Sequence, residues 1–202
     1  EKYVLVISHD EVVHLKKSML EKMPGELDDK FKNLKAAYTF MFCHPGKKLL
    51  FMGQEFGQLR EWSEEREIDW FLLQEEPHRK LQEYYADLLT IYKKYPALYA
   101  MDNDPSGFEW INADDGDRSI FSFVRKSPTG RNNILYVVNF TPVDRPDYRV
   151  GVPKKKQYKQ IMDENGLLTE PKTFKAEKQE CDNRPFSFAY PLPAYGVAVF
   201  TY

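Results

Sequence analysis

The residues best suited to chemistry come early, where Tyr3-Val4-Leu5-Val6-Ile7 runs into Ser8-His9-Asp10-Glu11. Five apolar residues bounded by polar ones predict a buried strand of the kind found in parallel sheets. Delivering His9 and Asp10 from the C-terminal end of such a strand is how an α/β barrel presents its reactive groups. The bland alternative is a cap, because an Asp or Ser after a strand often caps the turn that follows. The sequence opens only a few residues before this strand, which leads us to expect a longer protein with more chain upstream.

Other candidates are weaker. His9 and His14 flank Asp10 and Glu11, which suggests zinc, but the histidines are five residues apart. Zinc helices place both imidazoles on one face by four-residue spacing, so no metal site is expected here. Asp102-Asn103-Asp104-Pro105-Ser106-Gly107 imitates the start of a calcium loop, yet the twelfth position is Ala113 rather than a glutamate. A linker turn accounts for these residues. Trp110 and the tyrosines of the second half fit a sugar-stacking platform or, more simply, strand core. Lys154-Lys155-Lys156 reads as a solvated hairpin tip.

The elements that would position His9 and Asp10 are legible on either side. Leu27, Phe31, Leu34, Tyr38, Met41 and Phe42 recur at helical spacing and predict a helix over 26–43, stopped by His44-Pro45-Gly46. A second apolar run, Leu49-Leu50-Phe51-Met52, is closed by Gly53 and predicts another strand. Strand, helix and strand make a right-handed βαβ unit with its strands parallel. The polar and aromatic stretch 54–76 is long for a plain loop, so it is functional or holds short helical turns. Pro77 opens a further helix with Leu81, Tyr84, Tyr85, Leu88, Tyr92 and Tyr95 on one face.

Past Met101 the pattern changes. Apolar or alternating runs at 108–111, 119–125, 134–140, 148–152, 158–162, 187–190 and 197–202 are separated by turn residues, which predicts an antiparallel sandwich. We therefore expect an α/β part over 1–102 and an all-β part over 103–202.

The 202 residues carry a formal net charge of −2, which makes no case for nucleic acid or an anionic membrane. No apolar run approaches the ~18 residues of a membrane helix. Two cysteines far apart, Cys43 and Cys181, suit a cytoplasmic protein, with Cys43 buried in its helix.

The text around Asp10 is also similar to a known family. Ile7-Ser8-His9-Asp10-Glu11-Val12-Val13-His14, Lys16-Lys17-Ser18 and Met23-Pro24-Gly25 resemble the last catalytic motif of the glycogen branching enzymes, in the α-amylase superfamily. The resemblance continues through residues 44–58, Glu61-Trp62, Asp69-Trp70, Phe108-Glu109-Trp110-Ile111 and Val138-Asn139-Phe140-Thr141-Pro142, and thins beyond Tyr148. Leu15 departs from it, since glycine is expected between the histidine and the lysines.

The resemblance implies the last two units of a (β/α)8 barrel, with its seventh and eighth strands at 3–8 and 49–53, followed by a β-sandwich. It implies cleavage of an α-1,4-glucan and transfer of the segment to a 6-hydroxyl, without a cofactor, by retaining chemistry with two carboxyl groups. Asp10 would be a third carboxylate, holding sugar hydroxyls and favouring the flattened ring of the transition state. His9 would bind substrate beside it, and Glu11 and the loop 54–62 would line the acceptor side. The nucleophile and the acid/base belong to strands absent from this sequence, so these residues alone are expected to be inactive. Such a barrel takes about 250 residues, and two strands are supplied here by about 105. An incomplete barrel also leads us to expect self-association through 3–53, or disorder there, with the sandwich folding by itself. The competing readings are a separate non-catalytic glucan-binding or assembly module, or a fragment of a related amylase-superfamily hydrolase.

Overall fold

A computed structural model describes residues 6–202. Three α-helices come first: α1 (Met19–Lys22), α2 (Leu27–Cys43) and α3 (Glu76–Lys94). Helix α2 carries Asp28 and Asp29 in its first turn, where the helix dipole favours them, and stops at His44 because the next residue is proline. Of its predicted apolar face, Phe31, Leu34, Tyr38, Met41 and Phe42 are buried, while Leu27 at the helix start is exposed. Helix α3 buries His78, Leu81, Tyr84, Leu88 and Ile91. The two helices meet through Phe42, whose ring centroid lies 5.5 Å from Tyr85 and 5.9 Å from Tyr92. Burying a side chain such as Phe42 completely stabilises the fold by roughly 1.5–3 kcal/mol.

Nine strands follow: β1 (Phe108–Asn112), β2 (Ile120–Arg125), β3 (Ile134–Asn139), β4 (Arg145–Val152), β5 (Gln157–Asp163), β6 (Gly166–Leu167), β7 (Thr173–Lys175), β8 (Phe186–Leu192) and β9 (Val197–Thr201). Seven form one sheet in the order β1-β2-β3-β9-β5-β6, with β7 also on β5, and β4 and β8 pair separately. Each of these ladders is antiparallel. The seven strands predicted past Met101 are all present, and β6 and β7 are additions.

The large sheet is covered on both faces. Phe123, Ile134, Tyr136, Val138, Val197 and Val199 share a core with α2 and α3. Their strand neighbours Val124, Leu135, Val137, Ala198 and Phe200 share another with Tyr148, Val150, Phe188 and Tyr190 of the β4–β8 pair. Alternate residues thus point to alternate layers, which is why Ile134–Asn139 is buried throughout rather than at every second position. The result is three layers, helices on the large sheet on the β4–β8 pair, with one core running across the change in sequence character near Met101.

Arg125 joins the layers. It has no exposed surface, and it donates to the Cys43 carbonyl at the end of α2 (2.9 Å) and to Asp102 Oδ1 (2.5 Å). Asp102, the first residue of the calcium-like stretch, is thereby committed to an internal ion pair.

The expected βαβ unit is present in its helix and reduced in its strands. Residues 3–5 of the first lie outside the described residues. The remainder is a single parallel bridge between Ile7 and Leu50, with Ile7 N–H donating to the Leu49 carbonyl at 3.3 Å. No strand forms over 49–53; the chain turns at Gly53, whose φ of +87° is readily reached only without a Cβ. A parallel strand needs partners on both sides to stay extended, and here Leu49 and Met52 stand exposed instead.

Candidate active site

Residues His9–Glu11 form one 3₁₀ turn directly after the Ile7 bridge. Its cap is Ser8, whose Oγ accepts from Asp10 N–H (3.2 Å) and donates to Asp10 Oδ2 (3.3 Å). The capping role therefore falls on serine, and the Asp10 carboxylate is left facing outward. Its Oδ1 lies 3.3 Å from His9 Nε2, and both side chains are more than half exposed. The His9 ring tilts against Phe51 at 5.9 Å, which places the second apolar segment behind it. An adjacent imidazole and carboxylate, both open to solvent, can donate to and accept from the hydroxyls of a bound molecule.

Glu11 is placed differently. Its carboxylate is 3.8 Å from Lys22 Nζ, and the same ammonium donates to the Glu11 carbonyl. The turn is so tied to α1, and Glu11 lies less freely than Asp10. His14 follows on left-handed backbone (φ 59°). No group of three or more His, Cys, Asp or Glu side chains able to hold a metal ion occurs among the described residues.

The stretch 54–76 forms the wall opposite and is fixed by side chains. Tyr38 Oη, on α2, donates to the Gln54 carbonyl (2.9 Å), and His78 Nδ1, on α3, donates to that of Phe56 (2.7 Å). Burial pushes the Tyr38 phenol well above its ordinary pKa, so it remains a donor. Gln58 Oε1 accepts from Asp69 N–H (2.9 Å), and Arg60 Nε donates to the buried Asp69 carboxylate (2.7 Å). A 3₁₀ turn, Trp70–Gln74, closes the stretch. Within the stretch, Trp62 sits edge-on to Phe51 (5.2 Å), and its backbone N–H donates to the Val12 carbonyl (3.0 Å).

The cap that the sequence offered as the bland alternative is realised by Ser8, and two contributors were given no individual role from the sequence. Ser8 carried a local signal, since a serine just before a turn is a favoured cap. Lys16, which donates to the Asp10 carbonyl (2.8 Å), and Trp62, which pins Val12, depend on how loops meet and left no pattern to read. Leu15 takes φ +65° and is 95% exposed. The left-handed backbone gives the physical reason for expecting glycine there.

A family model described as the alpha amylase C-terminal all-beta domain matches residues 110–202. Along its whole length the chain is 53% identical to the 1,4-alpha-glucan branching enzyme GlgB of Butyrivibrio fibrisolvens, covering 33% of that protein. Over 98% of its length it is 45% identical to the corresponding GlgB of Aquifex aeolicus, covering 32% of it. Along its whole length the chain is thus similar to part of these branching enzymes. It spans about a third of the length of the curated relatives it matches. Among solved structures, pullulanase type I from Bacillus subtilis, in complex with maltose, superimposes with a TM-score of 0.69 at 14% identity, over 98% of this chain and 27% of its own. The alpha-amylase of H. orenii gives 0.58 at 14%, over 96% and 38%. At that identity the likeness concerns the fold alone.

Proposed function

We propose that the whole protein is a cytoplasmic 1,4-alpha-glucan branching enzyme. In this reading residues 1–102 are the end of a (β/α)8 barrel, and 103–202 are the β-sandwich that follows it. The substrate is an α-1,4-glucan; a segment is cleaved through a covalent glycosyl-enzyme and passed to a 6-hydroxyl. The nucleophile and the acid/base come from residues beyond this sequence, and no cofactor takes part.

Asp10 contributes the third carboxylate, with His9 beside it on the same sugar and Glu11 toward the acceptor. As the ring flattens and gains positive charge, the sugar hydroxyls become stronger donors. A fixed carboxylate then binds the transition state more tightly than the ground state. The chain's isolated form also self-associates through the apolar edge at Val6, Leu49 and Met52.

The observation that carries the reading is the similarity to branching enzymes along the whole chain, including the residues around the exposed His9–Asp10 pair. The test is branching of amylose, followed as loss of iodine colour. Asp10→Asn in the whole protein is expected to lower the rate about a hundredfold or more, with the fold intact. The 202 residues by themselves are expected to be inert. A whole protein that branches normally with Asn at position 10 would refute the assignment.

A further inference from the structure

The segment after Asp10 is held in an unusual shape by one distant side chain. His14, Leu15 and Lys17 all adopt left-handed backbone, with φ of 59°, 65° and 69°. This turns the N–H groups of Leu15 and Lys17 toward the opposite loop, where both meet the Glu61 carboxylate: Leu15 N–H donates to Oε2 (3.1 Å) and Lys17 N–H to Oε1 (2.6 Å). Glu61 is itself anchored, its carbonyl accepting from Arg66 Nη2 (3.0 Å), and its neighbour Trp62 is bonded to Val12. Between the two clamped amides stands Lys16, whose ammonium reaches back to the Asp10 carbonyl (2.8 Å).

We propose that Glu61 is a positioning residue for Asp10. Two backbone N–H groups converging on one carboxylate form an anion nest, and this nest is filled by the protein's own side chain. Its occupation holds His14, Leu15 and Lys17 in the left-handed shape, so that Lys16 braces the 3₁₀ turn and fixes the direction of the Asp10 carboxylate. Glu61 touches no reacting atom; it acts through the loop. The proposal rests on the role given to Asp10 above.

The test compares Glu61→Ala, Glu61→Gln, Asp10→Asn and the double variant Glu61→Ala with Leu15→Gly, all in the whole protein. Removing the clamp is expected to lower kcat for branching about ten- to hundredfold while KM for amylose moves less than about twofold, as befits a misplaced transition-state contact. Amide exchange at Leu15 and Lys17 should accelerate together. Glu61→Gln keeps the size and one acceptor oxygen, so an intermediate kcat is expected. Glycine at 15 adopts the left-handed conformation without help, so the double variant should recover most of the lost kcat. A purely structural role for Glu61 would give no such recovery. Full activity in Glu61→Ala beside an inert Asp10→Asn overturns the proposal alone. An active Asp10→Asn overturns the reading of the site, and this proposal with it.

Discussion

The large sheet and the segment bearing Asp10 are built on opposite terms. In the sheet, Val138 and Val199 face the helices and Val137 and Ala198 face the β4–β8 pair, all fully buried. Each strand is specified by its own alternation and supported by neighbours within the chain. Around Asp10, the turn His9–Glu11 has no buried residue, and its shape depends on single side chains: Ser8, Lys16, Lys22 and Glu61. One region is held by packing of many groups, the other by a few polar bonds. Substitutions should therefore cost folding energy in the first and geometry or rate in the second.

The largest folding effect is expected at Arg125. Replacing it by alanine strands the Asp102 carboxylate, nearly inaccessible to solvent, and the Cys43 carbonyl without their partner. Breaking a buried ion pair from one side costs about 3–5 kcal/mol. Chemical denaturation of Arg125→Ala should show a loss of that size, and a loss below about 1 kcal/mol would mean that the layers are not joined there.

A middle-sized effect belongs to Lys48, where the segment after α2 passes under Tyr92. Its ammonium lies 5.7 Å from that ring and donates to the His44 carbonyl. Burial pushes its pKa down to about 8. Between pH 8 and 10.5 the unfolded chain keeps a proton that the folded one has released, so stability rises with pH there, by at most ~1.4 kcal/mol per pH unit. Lys35, also pushed down by burial, adds in the same direction. From about pH 9 the thiols of Cys43 and Cys181, pushed up to about 12 and 11 by burial, act oppositely, because the unfolded chain loses those protons first. Buried Tyr148 and partly buried Tyr202, each raised to about 12, oppose it further above pH 10. Stability should climb from pH 8 to about 9 and then level and fall. Lys48→Met should flatten the climb; an unchanged slope would place the responsible group elsewhere.

The same contrast explains what the sequence disclosed. Helix α2 and the seven longer strands were legible because their burial repeats with the period of the element, from Phe31 to Phe42 and from Ile134 to Asn139. Strands β6 and β7, of two and three residues, are too short to carry a period. The third layer was implicit in the unbroken burial of β3, which a sheet open on one face would not need. The run at 49–52 promised a strand, but an apolar run states only that burial is wanted, and among the described residues Leu49 and Met52 stand exposed. His9 and Asp10 stood out by type and by their surrounding text. Glu61 did not, because its partners Leu15 and Lys17 are 46 and 44 residues away.

The smallest expected effect has the opposite sign and lies at Leu15. In most positions glycine for leucine loses stability, through lost burial and a more flexible unfolded chain. Here the side chain is 95% exposed, so almost no burial is forfeited. The backbone at φ +65° costs an L-residue with a Cβ roughly 1–2 kcal/mol. Setting that against the entropy of the added glycine, about 0.5–1 kcal/mol, leaves Leu15→Gly stabilised by roughly 0.5–1 kcal/mol. Paired melts of the two proteins would register the gain. A net loss would mean that Leu15 makes contacts in solution that offset its strain, and that the segment around Asp10 is packed more like the sheet than its exposure indicates.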